Sequence, residues 1–199
     1  CIRDRYKYKK QSGGHGQYGH VKMTFEPSGD MDTPYVFEQT VVGGAVPKNF
    51  FPAVEKGIAE SVKKGPLAAY PVTGIKAVLY DGSYHPVDSS EMAFKVATQQ
   101  AFKKGIMEAK PVLLEPIATL KVVVPEGYTG DVMGELNKRR ARVMGMNPTD
   151  NGYQEIVADI PYLELYGYNA TLRSMTSGSG TFSYEFARYA VSYTHLTLP

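Results

Sequence analysis

The chain has 199 residues, enough for one large domain or two small ones. Its 43% hydrophobic and 21% charged content is ordinary for a globular protein, its formal net charge is only +2, and its single cysteine, Cys1, excludes an internal disulfide framework and a cysteine-rich zinc site. No apolar run approaches ~20 residues, which excludes a helical membrane span, and Cys1-Ile2-Arg3-Asp4-Arg5 lacks the apolar segment of a signal peptide.

In chain order, Val21, Met23 and Phe25 alternate with Lys22, Thr24 and Glu26, the period-two pattern of a half-buried strand. Pro27 to Asp30 is a turn, and Tyr35 to Val42 reads as a second strand closed by Gly43-Gly44. Phe51, Val54, Ile58 and Val62 share one helical face; Pro47 stands near the start of that helix and Gly65-Pro66 stops it. Ile75 to Tyr80 is a strand leading into the loop Asp81-Gly82-Ser83-Tyr84-His85-Pro86. A helix then opens at Asp88, with Glu91 three residues on as in a capping box, and Ala93, Val96, Ala97 and Ala101 as its buried stripe.

The pattern resets after Pro111. Ile117 to Val124 reads as a strand, Tyr128 to Arg140 as a helix, and Arg142 to Thr149 and Tyr153 to Ile160 as strands joined by the hairpin residues Asp150-Asn151-Gly152. Leu163 to Met175 reads as a helix and Thr181 to Tyr189 as a strand. The order βαββαβ is that of a ferredoxin-like domain. The chain is therefore expected to be α+β, with one domain over residues 1–112 and a second over 113–190.

Basic residues cluster at Arg3 to Lys10, Lys63-Lys64, Lys103-Lys104 and Lys138-Arg139-Arg140 with Arg142. One such cluster is ordinarily a solvated face, but several in a short chain tilt toward a polyanion partner. Gly14-His15-Gly16-Gln17-Tyr18-Gly19 matches G-x-G-x-x-G, yet a strand rather than a helix follows and charged residues precede it, so no helix N-terminus receives a phosphate. No G-x-x-x-x-G-K-[ST] occurs, so the chain is not expected to hold or hydrolyse GTP. His15, His20 and His85 have neither metal-ligand spacing nor a recognisable nucleophile partner and read as polar loop residues. Two glycine-rich loops remain, Ser12 to His20 and Gly82 to Glu91. Their glycines permit close backbone approach, and their tyrosines and histidines can stack on bases or hydrogen-bond ribose.

Gln11-Ser12-Gly13-Gly14-His15-Gly16-Gln17-Tyr18-Gly19-His20-Val21 resembles the domain IV signature of the elongation factor G family. So do Gly65-Pro66-Leu67-Ala68-Ala69-Tyr70-Pro71-Val72, Gly82-Ser83-Tyr84-His85 with Val87-Asp88-Ser89-Ser90-Glu91, and Ala109-Lys110-Pro111-Val112-Leu113-Leu114-Glu115-Pro116. Gly130-Asp131-Val132-Met133-Gly134-Glu135-Leu136-Asn137-Lys138-Arg139-Arg140 and Leu172-Arg173-Ser174-Met175-Thr176 look like its domain V.

That resemblance implies a ribosomal protein S5 domain 2-like domain lacking its first strand, followed by the ferredoxin-like domain. The implied role is ribosomal translocation: a tip formed by Ser12, Gly13, Gly14, His15, Gly16, Gln17, Tyr18, Gly19 and His20 with Ser83, Tyr84, His85, Pro86, Val87 and Asp88 enters the decoding region and blocks return of the tRNA–mRNA pair. His85 stands at its leading edge. Lys138, Arg139 and Arg140 are the implied rRNA contacts. The implied partners are the ribosome, its A/P-site tRNA and mRNA, with a monomer in the cytoplasm. GTP and magnesium are expected in the full-length protein, and no cofactor or metal in these two domains.

His15 departs from the arginine that many members carry, and with Asp81-Gly82-Ser83-Tyr84-His85-Pro86 it resembles a divergent bacterial paralogue. Residues 191–199 match nothing in the family and read as a non-native tail. Rival readings are a ribosome-protection or ribosome-recycling relative and a small-molecule kinase on an S5-like scaffold. The kinase would need a phosphate-cradling loop leading into a helix.

Overall fold

The computed structural model describes residues 2–10 and 16–192. The chain forms two compact units that meet in sequence between Pro111 and Val112. Among the described residues there are two four-stranded sheets and four α-helices, a mixed α+β architecture.

The first unit begins with β1 (Ile2–Lys10) and β2 (Gln17–Pro27), an antiparallel hairpin in which Lys10 faces Gln17. Strand β3 (Tyr35–Gln39), helix α1 (Phe51–Lys63), strand β4 (Ile75–Ser83) and helix α2 (Glu91–Glu108) follow. The sheet order is β1-β2-β4-β3, with β3 parallel to β4 and the other pairs antiparallel. Alternation puts Val21, Met23 and Phe25 of β2 and Ile75, Ala77 and Leu79 of β4 on one buried face. Val54, Ile58 and Val62 of α1 and Phe94, Ala97, Phe102 and Ile106 of α2 complete this core. Phe25 meets Phe102 edge to face at 5.8 Å, and Phe50 stacks on Phe94 at 4.6 Å. Each such buried side chain contributes about 1.5–3 kcal/mol relative to exposure. Where the two helices approach, a Cβ on Gly57 would lie 2.9 Å from Thr98 Cβ, so this crossing requires a glycine.

The second unit runs β5 (Leu114–Pro125), α3 (Thr129–Lys138), β6 (Arg142–Thr149), β7 (Tyr153–Pro161), α4 (Tyr168–Met175) and β8 (Thr181–Val191). Its order, β6-β7-β5-β8 with every pair antiparallel, is the ferredoxin-like arrangement expected from βαββαβ. Leu120, Val122 and Val124 pack with Ile156, Ala158 and Ile160 beneath Val132, Leu136, Tyr168 and Leu172. Leu114 pairs with Val191, and the Ser192 N–H donates to the Leu113 carbonyl at 2.9 Å. Thus Val191, assigned to the tail by sequence, is the last residue of β8, and Ser192 follows it with a backbone bond to Leu113; residues 193–199 lie outside the described residues.

Several elements differ from the sequence expectation for local reasons. The charged lead-in Arg3 to Lys10 is strand β1, whose inward positions are Asp4, Tyr6 and Tyr8 rather than aliphatic residues. Strand β3 ends at Gln39, well before the left-handed turn at Gly43 and Gly44. Strand β4 runs on through Gly82 and Ser83, which read as loop in the sequence. Helix α2 is capped by Ser90, whose Oγ accepts from the Ala93 N–H at 3.2 Å; Asp88 lies outside it, and Glu91 is its first residue, too early to reach back. Finally, the expected helix from Leu163 splits into a 3₁₀ turn, Tyr162–Leu165, and α4, because Gly167 adopts φ 72° between them.

Candidate functional site: a two-loop tip and a basic strand

The end of the β1–β2 hairpin and the β4–α2 connection join into one tip. Gly16 N–H donates to Asp88 Oδ1 at 3.0 Å, and Tyr18 N–H donates to the Asp88 carbonyl at 2.8 Å. Ser89 Oγ donates to the Tyr18 carbonyl at 3.0 Å and accepts from His85 N–H at 2.9 Å. Two chain segments about 70 residues apart in sequence are thereby tied through backbone groups, a link independent of long side chains. Gly19 makes the seat: a Cβ there would stand 2.5 Å from the Ala93 carbonyl oxygen, backbone that cannot swing aside.

Side chains reinforce the join. Ser83 Oγ lies between Tyr18 Oη at 2.7 Å and His20 Nδ1 at 2.8 Å. Tyr8 Oη donates to Gln17 Oε1 at 2.9 Å. The His85 ring turns inward through Nδ1, which accepts from the Val87 and Asp88 N–H groups at 3.3 and 3.2 Å. With Nδ1 an acceptor, the neutral ring carries its proton on Nε2 as a donor away from the turn. Asp88 Oδ2 lies 3.5 Å from the same Nδ1. His85, Tyr84 and Val87 are exposed. Burial first, then the cations of Lys22 and Lys7, hold the His20 pKa below its ordinary 6.5.

Of the tip residues expected from sequence, Gly16, Gln17, Tyr18, Gly19, His20, Ser83, His85 and Asp88 come together here, and Tyr84, Pro86 and Val87 form the outer turn. Ser12, Gly13, Gly14 and His15 lie outside the described residues. Sequence reasoning missed Ser89 as the clamp, and it did not connect Lys7, Lys9 and Lys10 to the tip. These lysines line a small cleft of about 160 Å³ with Gln17, Tyr18, His85 and Asp88. The alternation Arg3-x-Arg5-x-Lys7-x-Lys9 is the signal that could have found them, once Asp4, Tyr6 and Tyr8 are taken as the inner face.

The dinucleotide reading of Gly14 to Gly19 stays excluded, with one of its two reasons changed. A strand does precede the motif, but strand β2 rather than a helix follows it, so the chain does not run from these glycines into a helix N-terminus as that fingerprint requires. Among the described residues no cluster of His, Cys, Asp and Glu could hold a metal ion, and no helix is long and apolar enough to cross a membrane.

The three cations at the end of α3 have separate fates. Arg139 is largely enclosed: its guanidinium donates to Glu135 at 2.7 Å, the Glu164 carbonyl at 2.6 Å, the Tyr166 carbonyl at 3.0 Å and Thr171 Oγ1 at 3.1 Å. It also lies 5.3 Å over the Tyr168 ring, whose phenol is pushed up to about 12 by burial. Arg140, at φ 57°, makes a bidentate pair with Glu115 at 3.0 Å and a third bond to Glu164. Both arginines organise the unit itself. Lys138 is exposed, and no ion pair holds it among the described residues.

Comparison with known proteins gives this arrangement a lineage. Residues 2–110 match the family model for elongation factor G, domain IV, and residues 112–197 match that for the elongation factor G C-terminus. Over 186 residues the chain is 51% identical to an elongation factor G-like protein of Thermotoga maritima, covering 94% of this chain and 27% of that relative. A crystal structure of a protein from Thermus thermophilus superposes with a TM-score of 0.80 at 45% identity, covering 98% of this chain and 29% of that one. Two α+β units matched in this order make the chain part of a translation elongation factor. It belongs to the elongation factor G family, and it spans little more than a quarter of the length of these relatives.

Proposed function

We propose that this chain is the C-terminal arm of a cytoplasmic ribosomal translocase. Its tip occupies the decoding region and blocks return of the tRNA–mRNA pair. The supporting observation is the backbone clamp between the loops: Gly16 and Tyr18 donate to Asp88, and Ser89 donates to Tyr18. A tip that works by occupying space must not yield, and a clamp through backbone groups gives that stiffness. The groups it presents suit RNA. His85 offers a ring N–H, Tyr18 and Tyr84 offer aromatic faces, and three lysines surround them. Binding and hydrolysis of GTP with magnesium belong to other segments of the full-length protein, and this chain alone does not hydrolyse GTP. At the second unit, Lys138 is the cation best placed to meet rRNA, since Arg139 and Arg140 are engaged internally.

The test is His85→Ala in the full-length protein. Translocation in a single-round assay slows by about tenfold or more, while ribosome-stimulated GTP hydrolysis continues. Equal loss of both activities would count against the tip role.

A further inference from the structure

A second surface of the first unit goes beyond the tip reading. On the face of the sheet opposite the core, β1 presents Arg3, Arg5, Lys7 and Lys9. Its one acid, Asp4, points the other way, buried and bonded to Lys104 at 3.0 Å. Directly across the register stand Thr24, Lys22, His20 and Tyr18 of β2. Alternate strand residues are about 6.7 Å apart, so the four cations form a row of about 20 Å. Lys22 is paired with Asp81 and Lys7 lies over the Tyr18 ring, but among the described residues Arg3, Arg5 and Lys9 make no ion pair. The potential of this row reaches into the sheet: Lys7 and, more weakly, Arg5 are among the causes that hold His20 below its ordinary value. The row also ends at the cleft where Lys7, Lys9 and Lys10 stand with Tyr18, His85 and Asp88, the last tied to the Gly16 N–H.

We propose that the β1 face of this sheet is a track for the phosphates of a single-stranded RNA segment, which runs along Arg3, Arg5, Lys7 and Lys9 into the tip cleft. A row one side chain wide with regular spacing matches one extended backbone, and Tyr18 at its end offers a ring for a base to stack on. The rival account is that charge on an edge strand only prevents edge-to-edge pairing between copies.

The experiment measures binding of the 199-residue chain to a fluorescein-labelled oligouridylate by anisotropy across a salt series. The triple variant Arg3→Gln, Arg5→Gln, Lys9→Gln is compared with Lys56→Gln, Lys63→Gln, Lys64→Gln, which removes the same charge from exposed positions at α1. The β1 variant weakens binding by about tenfold or more and flattens the plot of log K against log salt by about 2, three contacts at roughly 0.7 each. The α1 variant changes the slope far less. Equal effects of the two variants would overturn the track, as would a duplex RNA bound as tightly with the same loss. So would self-association of the β1 variant with unchanged RNA affinity. The track is read from the salt slope of this chain and the tip from translocation by the full-length protein, so failure of the tip reading and failure of the track give different results.

Discussion

Strand β1 and the end of α3 carry similar runs of basic residues, yet they use them in opposite ways. At the end of α3, two of three cations meet acceptors within their own unit: Glu135, the carbonyls of Glu164 and Tyr166, and Glu115. Along β1, the strand's own acid is turned to the helical side, and none of the four outward cations forms an ion pair among the described residues. Net charge does not distinguish these regions; the placement of acceptors does. A cation already hydrogen-bonded within its own unit must break those bonds before it can serve a partner.

The sharpest way to break the comparison is to remove one cation from each region. Arg139→Ala strands two backbone carbonyls and Glu135, and it lowers the stability of the second unit by about 2–4 kcal/mol in urea denaturation. Arg5→Ala, on the open face, stays within about 0.5 kcal/mol. A small effect at Arg139 would erase the distinction.

A smaller effect separates the two roles at the tip. Ser90→Ala costs about 1 kcal/mol and speeds amide exchange at Ala93, whereas Asp88→Ala speeds exchange at Gly16 and leaves Ala93 protected. Exchange at Ala93 that rises with Asp88→Ala would return the cap to Asp88.

The smallest effect is in pH. The His20 pKa lies below 6.5 in the folded chain, so as pH falls the unfolded state takes its proton first. The stabilising term is present above 6.5 and is lost as pH falls through the folded value. His20→Gln flattens that part of the stability profile. By NMR titration, Lys7→Gln moves the His20 pKa up toward its ordinary value; no movement would show that the β1 cations are not felt at the sheet.

The elements with aliphatic periodicity were legible in the sequence, because burial writes itself as spacing: α1 through Phe51, Val54, Ile58 and Val62, and β5 through Leu120, Val122 and Val124. Strand β1 was not, since its inner face consists of two tyrosines and an aspartate whose burial depends on Lys104, a residue 100 positions away. The cap of α2 was misplaced by two residues because Asp88 and Glu91 satisfy the local capping pattern, while the backbone uses Asp88 to hold Gly16 instead. At the site, both tip loops could be named from their residues, and the clamp joining them could not: Ser89 and Asp88 act on backbone atoms about 70 residues away. The three basic residues after α3 looked alike in sequence because only the fold reveals where the acceptors stand.

Strands β5 and β8 are neighbours whose outer ends lie together, with Leu114 beside Val191 and Ser192 bonded to Leu113. Among the described residues, the first and last paired positions of the second unit therefore lie side by side. A mechanical load drawn between those two ends pulls adjacent antiparallel strands apart from the same side, so their hydrogen bonds carry it one at a time, as a zipper does, and not all at once.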